Sequence, residues 1–257
     1  MNRRTFFATA ASAGLAAVPA SAAGASALLE LRYIWMRTGT QVERTSQFLS
    51  KYVVPAARRL NIGALGFFNA VIAQQSPFIL TLTSYPSYEA LGRAQDQMAS
   101  DREFRKGFEE YNSMSEWSYI RMENSLLRCF AGMPAVVIPP VSREHPARVF
   151  ELRTYESNNG VAARTKIDMF NQAEIGIFQR LGMLPVFFGE TLVGRNLPNL
   201  TYMLAFDDLA ARERLWRAFS TDPEWQKLRA KPEYADALIV SNISNAILRP
   251  LPFSPIR

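Results

Sequence analysis

Histidine and cysteine are almost missing from this 257-residue chain, which has one of each, His145 and Cys129. A lone cysteine closes no intramolecular disulfide, and the sequence shows no Cys/His cluster of the kind that holds zinc. Cys129 sits in the apolar run Leu126-Leu-Arg-Cys-Phe130 and reads as a small buried hydrophobe. His145 stands in a proline-bounded segment and reads as a solvated linker residue, which argues against ordinary His-ligated haem. A Gly-rich phosphate loop, a Ser-His-Asp set and a metal-binding motif are missing too. Nor does charge of one sign collect anywhere: acidic and basic residues are interspersed, as in Arg212-Glu-Arg214 and Asp101-Arg-Glu103. That is a solvated mixed surface, not a phosphate-binding stripe, so nucleic acid is not the expected partner.

What is present is ample apolar material. A hydrophobic fraction of 48% supplies the core of one large or two small domains, and a charged fraction of 20% gives no sign of disorder. The N-terminus reads Asn2-Arg-Arg4-Thr-Phe-Phe7 and then runs through Ala, Gly, Ser, Leu and Val to Ala23, with small residues at Ala20-Ser-Ala22. Paired arginines before aromatics, a mildly apolar stretch and an A-x-A site describe a twin-arginine export signal over residues 1–23. The run is too short and Ala-rich for a membrane span, and no cysteine follows it to carry a lipid, so no stable membrane anchor is expected after cleavage. The implied location is periplasmic or secreted. Removal of Arg3 and Arg4 leaves 27 basic residues (29 − 2) against 23 acidic ones, so the net charge falls from +6 to +4. Twin-arginine export carries folded proteins, which is compatible with a preloaded cofactor but assigns none.

The chain also says one phrase twice. Leu28-Leu-Glu-Leu-Arg32 returns as Val149-Phe-Glu-Leu-Arg153, a spacing of 121 residues (151 − 30). The same spacing carries Leu60 to Leu181, Pro77 to Pro198, Asp101 to Asp222, Glu103 to Glu224, Lys106 to Lys227, Asn124 to Asn245 and Arg128 to Arg249. Identities at one fixed spacing over most of a domain describe a tandem duplication. Within the first copy, alternation over 29–35 predicts a strand with Leu29, Leu31, Tyr33 and Trp35 on one face and Glu30, Arg32 and Ile34 on the other. Residues 41–60 have helical spacing, with Pro55 expected to kink or divide the helix. Strands follow at 63–73 and 78–83, a helical stretch at 86–112 and a fourth strand near 117–130. The second copy repeats the order: strand 149–156, helix 161–181, strands 186–193 and 200–206, a helix capped by Asp207 or Asp208, a short one capped by Asp222, and a strand at 237–248. Each copy is β-α-β-β-α-β, the ferredoxin-like arrangement, and the class is α+β. The divisions expected are 24–130 for the first, divergent copy, 131–147 for a proline-rich linker in extended form, and 148–257 for the second copy.

Several motifs of the second copy resemble a known family. Phe150-Glu-Leu-Arg-Thr-Tyr155, Tyr202-Met-Leu-Ala-Phe206, Leu209-Ala-Ala-Arg-Glu-Arg-Leu-Trp216-Arg-Ala-Phe219, Asp222-Pro-Glu-Trp225 and Leu248-Arg-Pro-Leu-Pro-Phe-Ser-Pro255 occur in the order of the NIPSNAP domain. The first copy is a worn version, with Asp101-Arg-Glu-Phe104 in place of Asp-Pro-Glu-Trp and Leu91 and Gln95 in place of Arg212 and Trp216. The resemblance implies a dimeric α/β barrel in which two ferredoxin-like units pack sheet to sheet, here both from one chain. The family's own biochemical role is ill-defined.

If Phe150 and Leu152 face the helices, Glu151, Arg153 and Tyr155 point into the barrel together with Glu30 and Arg32. Enclosed charges must pair or shift their pKa. One reading is a ligand pocket in the barrel interior, where Arg153 or Arg32 grips an acidic or carbonyl group and Tyr155 or Glu151 handles a proton. The other is a structural ion-pair layer between the sheets. Arg212, Trp216 and Trp225 read as packing and capping residues of the outer helices. For the whole protein, a binding role for a small ligand or partner is preferred, with homo-oligomers as the further assembly such barrels form. An oxidoreductase of the monooxygenase-like kind is the alternative, by analogy of fold.

Export is directly testable. Replacing Arg3 and Arg4 by lysine is expected to leave the precursor in the cytoplasm, and mature protein should begin between about residues 23 and 26 on N-terminal sequencing. An intact Met1 on periplasmic protein would overturn the signal assignment.

Overall fold

Alternating apolar residues draw eight antiparallel strands into a closed barrel. The computed structural model describes residues 27–113, 116–140 and 147–257; the expected export signal and His145 lie outside them. The first half comprises β1 (Leu28–Trp35), α1 (Thr40–Phe48), α2 (Val54–Arg59), β2 (Leu65–Ile72), β3 (Phe78–Tyr85), α3 (Tyr88–Ser100), α4 (Arg102–Asn112) and β4 (Arg121–Cys129). The second comprises β5 (Val149–Glu156), α5 (Gly160–Met169), α6 (Ile175–Arg180), β6 (Leu184–Val193), β7 (Asn199–Phe206), α7 (Leu209–Thr221), α8 (Pro223–Arg229), the short α9 (Asp236–Ile239) and β8 (Asn242–Pro250). The sheet orders β4-β1-β3-β2 and β8-β5-β7-β6 are each that of a ferredoxin-like unit, and the barrel closes where β2 meets β8 and β4 meets β6.

Both closing seams slip by a residue, between Ala70 and Ile72 and between Leu126 and Leu127. At the second seam Cys129 lies opposite Gly189, and a Cβ on Gly189 would stand 3.0 Å from the Leu127 side chain. Any larger residue there would need Leu127 to give way by a few tenths of an ångström, so glycine eases the close approach of the strands.

Local signals account for most helix ends. Asp208 accepts from Ala211 N–H and Asp222 from Glu224 and Trp225 N–H, each capping the helix that follows. The helix expected over 41–60 is divided just before Pro55: α1 runs through a π-helical turn (Leu49–Val53) into α2, and Pro55 sits in the first turn of α2. The matching turn Phe170–Glu174 joins α5 to α6 although Gly176 stands at the corresponding place, so proline is not its cause. The last strand begins at Asn242 and not near 237, because Asp236–Ile239 turns helically and buries Ile239 among the apolar residues beneath the helices. Between the halves, Val137 N–H donates to Val186 O at 2.9 Å, so the chain after β4 runs along the second half.

The apolar core has three main parts. Inside the barrel, Leu29, Leu31, Phe68, Leu80, Phe150, Leu152, Met203 and Leu248 meet from both halves. A second part lies between the sheet and helices of the second half, around Phe170, Phe178, Phe188 and Tyr202, and a third between those of the first half, around Leu49, Val54, Phe67 and Ile79. This corrects the expected orientation of β1 and β5. The alternation holds, but Leu29, Leu31, Phe150 and Leu152 face the barrel interior, while Glu30, Arg32, Glu151, Arg153 and Tyr155 face the helices. The middle of the closed interior is packed with apolar side chains from both halves, whereas the helices bring donors to the other face. Among the described residues no helix is long and apolar enough to cross a membrane.

Closure by two seams implies that neither half is complete. A fragment of residues 24–135 leaves the edges of β2 and β4 and its apolar concave face open, so it is expected to aggregate or dimerise. A soluble monomer with an undisturbed thermal transition would contradict that dependence.

Candidate functional site

Glu151 is fully buried and collects five hydrogen bonds on its carboxylate. Oε1 accepts from Arg212 Nη2 at 2.7 Å, Arg153 Nη1 at 3.0 Å and Asn245 Nδ2 at 3.0 Å. Oε2 accepts from Arg212 Nε at 2.9 Å and Trp216 Nε1 at 2.7 Å. The reason is local. Glu151 and Arg153 alternate outward on β5, Asn245 lies opposite Arg153 on β8, and Arg212 and Trp216, one helical turn apart on α7, reach down from above. Burial alone would raise the Glu151 carboxyl; the bonds from Arg212 and Trp216 and the charge of Arg153 outweigh it and hold it below the ordinary carboxylate range.

The network continues inward. The Arg153 guanidinium lies 4.7 Å over the Trp216 ring and donates to Tyr155 OH at 3.2 Å, and Tyr202 OH donates to Tyr155 OH at 3.0 Å. Buried Lys166 pairs with buried Glu174 at 3.0 Å and sits 4.8 Å over the Phe170 ring. Burial pushes the Glu174 carboxyl up against the pull of Lys166. Phe170, Phe178, Phe188 and Tyr202 fill the remaining space by mutual ring contact. With its carboxylate saturated and its apolar space filled, this half holds a structural ion cluster.

The first half places the same strand motif over a hole. Glu30 Oε1 accepts from Arg32 Nη2 at 2.7 Å and Asn124 Nδ2 at 2.9 Å, and Tyr85 OH donates to Oε2 at 3.2 Å. Above them lies a cavity of about 390 Å³ bounded by β1, β2, β3, α1, α2, α3 and α4, whose wall includes Phe48, Leu49, Ala57, Thr81, Gln95, Phe104 and Tyr111. The 121-residue spacing explains it. Leu49, Ala57, Thr81 and Gln95 stand where the second half has Phe170, Phe178, Tyr202 and Trp216, and Thr45 and Val53 where it has Lys166 and Glu174. A smaller cavity of about 280 Å³ occupies one mouth of the barrel, around Tyr33, Trp35, Phe78, Gln74 and Asn199. The five candidates of the sequence reading are therefore brought together in two separate places, Glu30 with Arg32 and Glu151 with Arg153 and Tyr155, and neither group lies in the barrel interior.

Arg212 and Trp216 were missed as partners of Glu151, since their helical spacing alone looks like surface packing. The signal was their joint replacement by Leu91 and Gln95 in the first half. Among the described residues no three metal-ligating side chains converge. Cys129 is buried, and burial pushes its thiol up to about 12, so it is inert packing.

The filled half is also the half that comparison recognises. Residues 150–255 match the NIPSNAP family model. No curated protein matches the chain. Among solved structures, a NIPSNAP family protein of unknown function from Agrobacterium tumefaciens is 24% identical over 46% of this chain and 98% of its own, with a TM-score of 0.39. Two whole-length likenesses are to proteins provisionally named monooxygenases. That from Lactobacillus acidophilus is 9% identical, covers 87% of this chain and 94% of its own and has a TM-score of 0.55; that from Fusobacterium nucleatum is 10% identical, covers 88% and 93% and has a TM-score of 0.53. At such identities the likeness is one of fold.

In the NIPSNAP-matched half, Glu151→Leu strips the buried anion from two half-buried arginines and is expected to cost about 3 kcal/mol in urea unfolding at neutral pH. The carboxylate also sets a pH dependence. Its folded pKa lies below its unfolded one, so its contribution is present above the unfolded value and lost as pH falls through the folded one. Stability of the parent should then drop more steeply than that of Glu151→Gln below about pH 4.3. Parallel curves would show that Glu151 is not ion-paired.

Proposed function

We propose that the protein is an exported binder of a small ligand, and that the ligand occupies the cavity between sheet and helices of the first half. One observation carries this reading: about 390 Å³ stands open where the second half is filled by four large aromatic and two charged side chains. The volume falls within the roughly 300–1,000 Å³ typical of ligand sites, and its apolar wall with a few converging polar groups has the usual composition of one. The fixed 121-residue spacing supports descent of both halves from one duplicated unit, so that one copy keeps the solid core and the other is free to bind. The Arg3-Arg4 pair and the Ala-rich run after it support export.

A second reading places an oxidoreductase reaction in the same cavity, supported by the fold shared with proteins provisionally named monooxygenases. A bound chromophore in an absorbance scan of protein purified from its native export route would favour it.

The binding reading is tested by filling the hole. Ala57→Phe and Thr81→Tyr restore the side chains of the second half, and both variants should lose the thermal stabilisation that small amphipathic compounds give the parent. Undiminished stabilisation in both variants would move the site elsewhere, with the barrel mouth next in line.

A further inference from the structure

The two halves hold the same carboxylate in different states of completion. Glu151 receives five donors, three of them from Arg212 and Trp216 on the helix above. Glu30 receives Arg32 and Asn124, as Glu151 receives Arg153 and Asn245, but nothing from its own covering helix, where Leu91 and Gln95 occupy the corresponding positions. Tyr85 supplies one partial replacement, a long bond to Oε2. Glu30 thus lacks a bidentate cationic donor, and the space that donor would enter is the cavity.

We infer that the first-half cavity takes an amphipathic cation, whose guanidinium, amidinium or primary ammonium head donates to Glu30 in place of Arg212 and whose apolar body fills the space that Phe178 and Tyr202 fill in the other half. This rests on the cavity being the ligand site. Three features fix the class. The head must carry N–H groups, because the vacant positions on the second-half template are filled by hydrogen-bond donors, and a charged donor to a carboxylate makes the stronger bond. The head must be positive: Glu30 and Arg32 are the charged residues of the cavity wall and cancel, whereas the second half adds Arg212 to the same pair. The body must be apolar or aromatic, since Phe48, Leu49, Ala57, Phe104 and Met98 bound the space, and Phe48 stacks on Tyr111 at 4.7 Å to form a flat wall.

The opposite choice, an anion held by Arg32, is disfavoured by the geometry. Arg32 Nη2 and Nε are already committed to Glu30 at 2.7 Å and Asn124 at 3.0 Å, and an incoming carboxylate would stand beside Glu30.

The test titrates four probes of one chain length into the mature protein by calorimetry: octylguanidinium, octylammonium, octanol and octanoate. Octylguanidinium should bind tightest, at least about ten-fold tighter than octanol, with octanoate weakest. Glu30→Gln should reduce the two cations to the affinity of octanol. Leu91→Arg, which puts an internal guanidinium over the same carboxylate, should do so as well, so that the result does not depend on one variant folding. Equal affinity for all four head groups, or a preference for octanoate, would overturn the cationic assignment and leave the cavity reading in place, provided Ala57→Phe abolishes binding. Failure of all four probes to bind would overturn both.

Discussion

Two seams of backbone hydrogen bonds, β2 to β8 and β4 to β6, determine what every other face of the molecule can do. Each half alone is a four-stranded sheet with helices on one face and two unpaired edges. Joining the edges satisfies the backbone groups and seals the concave faces against each other. The middle of the enclosed space is apolar, packed by Leu29, Phe150, Met203 and Leu248. Since side chains alternate along a strand, putting Phe150 and Leu152 inside forces Glu151 and Arg153 outward, beneath the helices. Their partners must therefore come from the sheet itself or from the helix above. Asn245 and Arg153 are sheet partners, while Arg212 and Trp216 are helix partners.

That dependence explains which parts of the architecture were legible in the sequence. The strand at 149–156, the order of elements in both halves and the cap at Asp222 followed from alternation and short-range capping chemistry, and of the two candidates Asp207 and Asp208 the structure uses Asp208. The two faces of β1 and β5 were also separable, but their sense was not. Placing apolar residues against helices and charges inward is one of two solutions a period-two pattern allows. The deciding facts are long-range. Arg212 lies 61 residues from Glu151 along the chain, and only folding shows that its fork closes on that carboxylate. Likewise the π-helical turns carry no clear sequence mark, since Pro55 in one half and Gly176 in the other occupy the same place.

The cavity was legible in another sense. Each replacement that opens it, from Leu49 opposite Phe170 to Gln95 opposite Trp216, can be read by aligning the chain on itself at 121 residues. What alignment cannot supply is whether the lost volume collapses. Large-to-small changes leave a void only when the surroundings cannot close in, and the free-energy cost grows with what remains.

Here the surroundings are held apart from several sides. The sheet floor cannot rise, because its curvature is fixed by barrel closure on both edges. The roof cannot fall freely either. The helix α4 is eleven residues long against seven for α8, and it lays Phe104, Phe108 and Tyr111 against Phe48. Tyr111 is fixed in turn: it shares a 2.7 Å hydrogen bond with Thr45 and donates to Ser118 O at 3.0 Å. Tyr52, from the π-helical turn, lies so close over Gly107 that a Cβ there would overlap its ring. Phe48, Phe104, Phe108 and Tyr111 are themselves a wall of the void and tie α4 to α1, whereas Phe170, Phe178 and Trp216 fill the corresponding space in the other half. Walls held by such fixed contacts keep the space in a defined shape, and a defined shape is what selective binding requires.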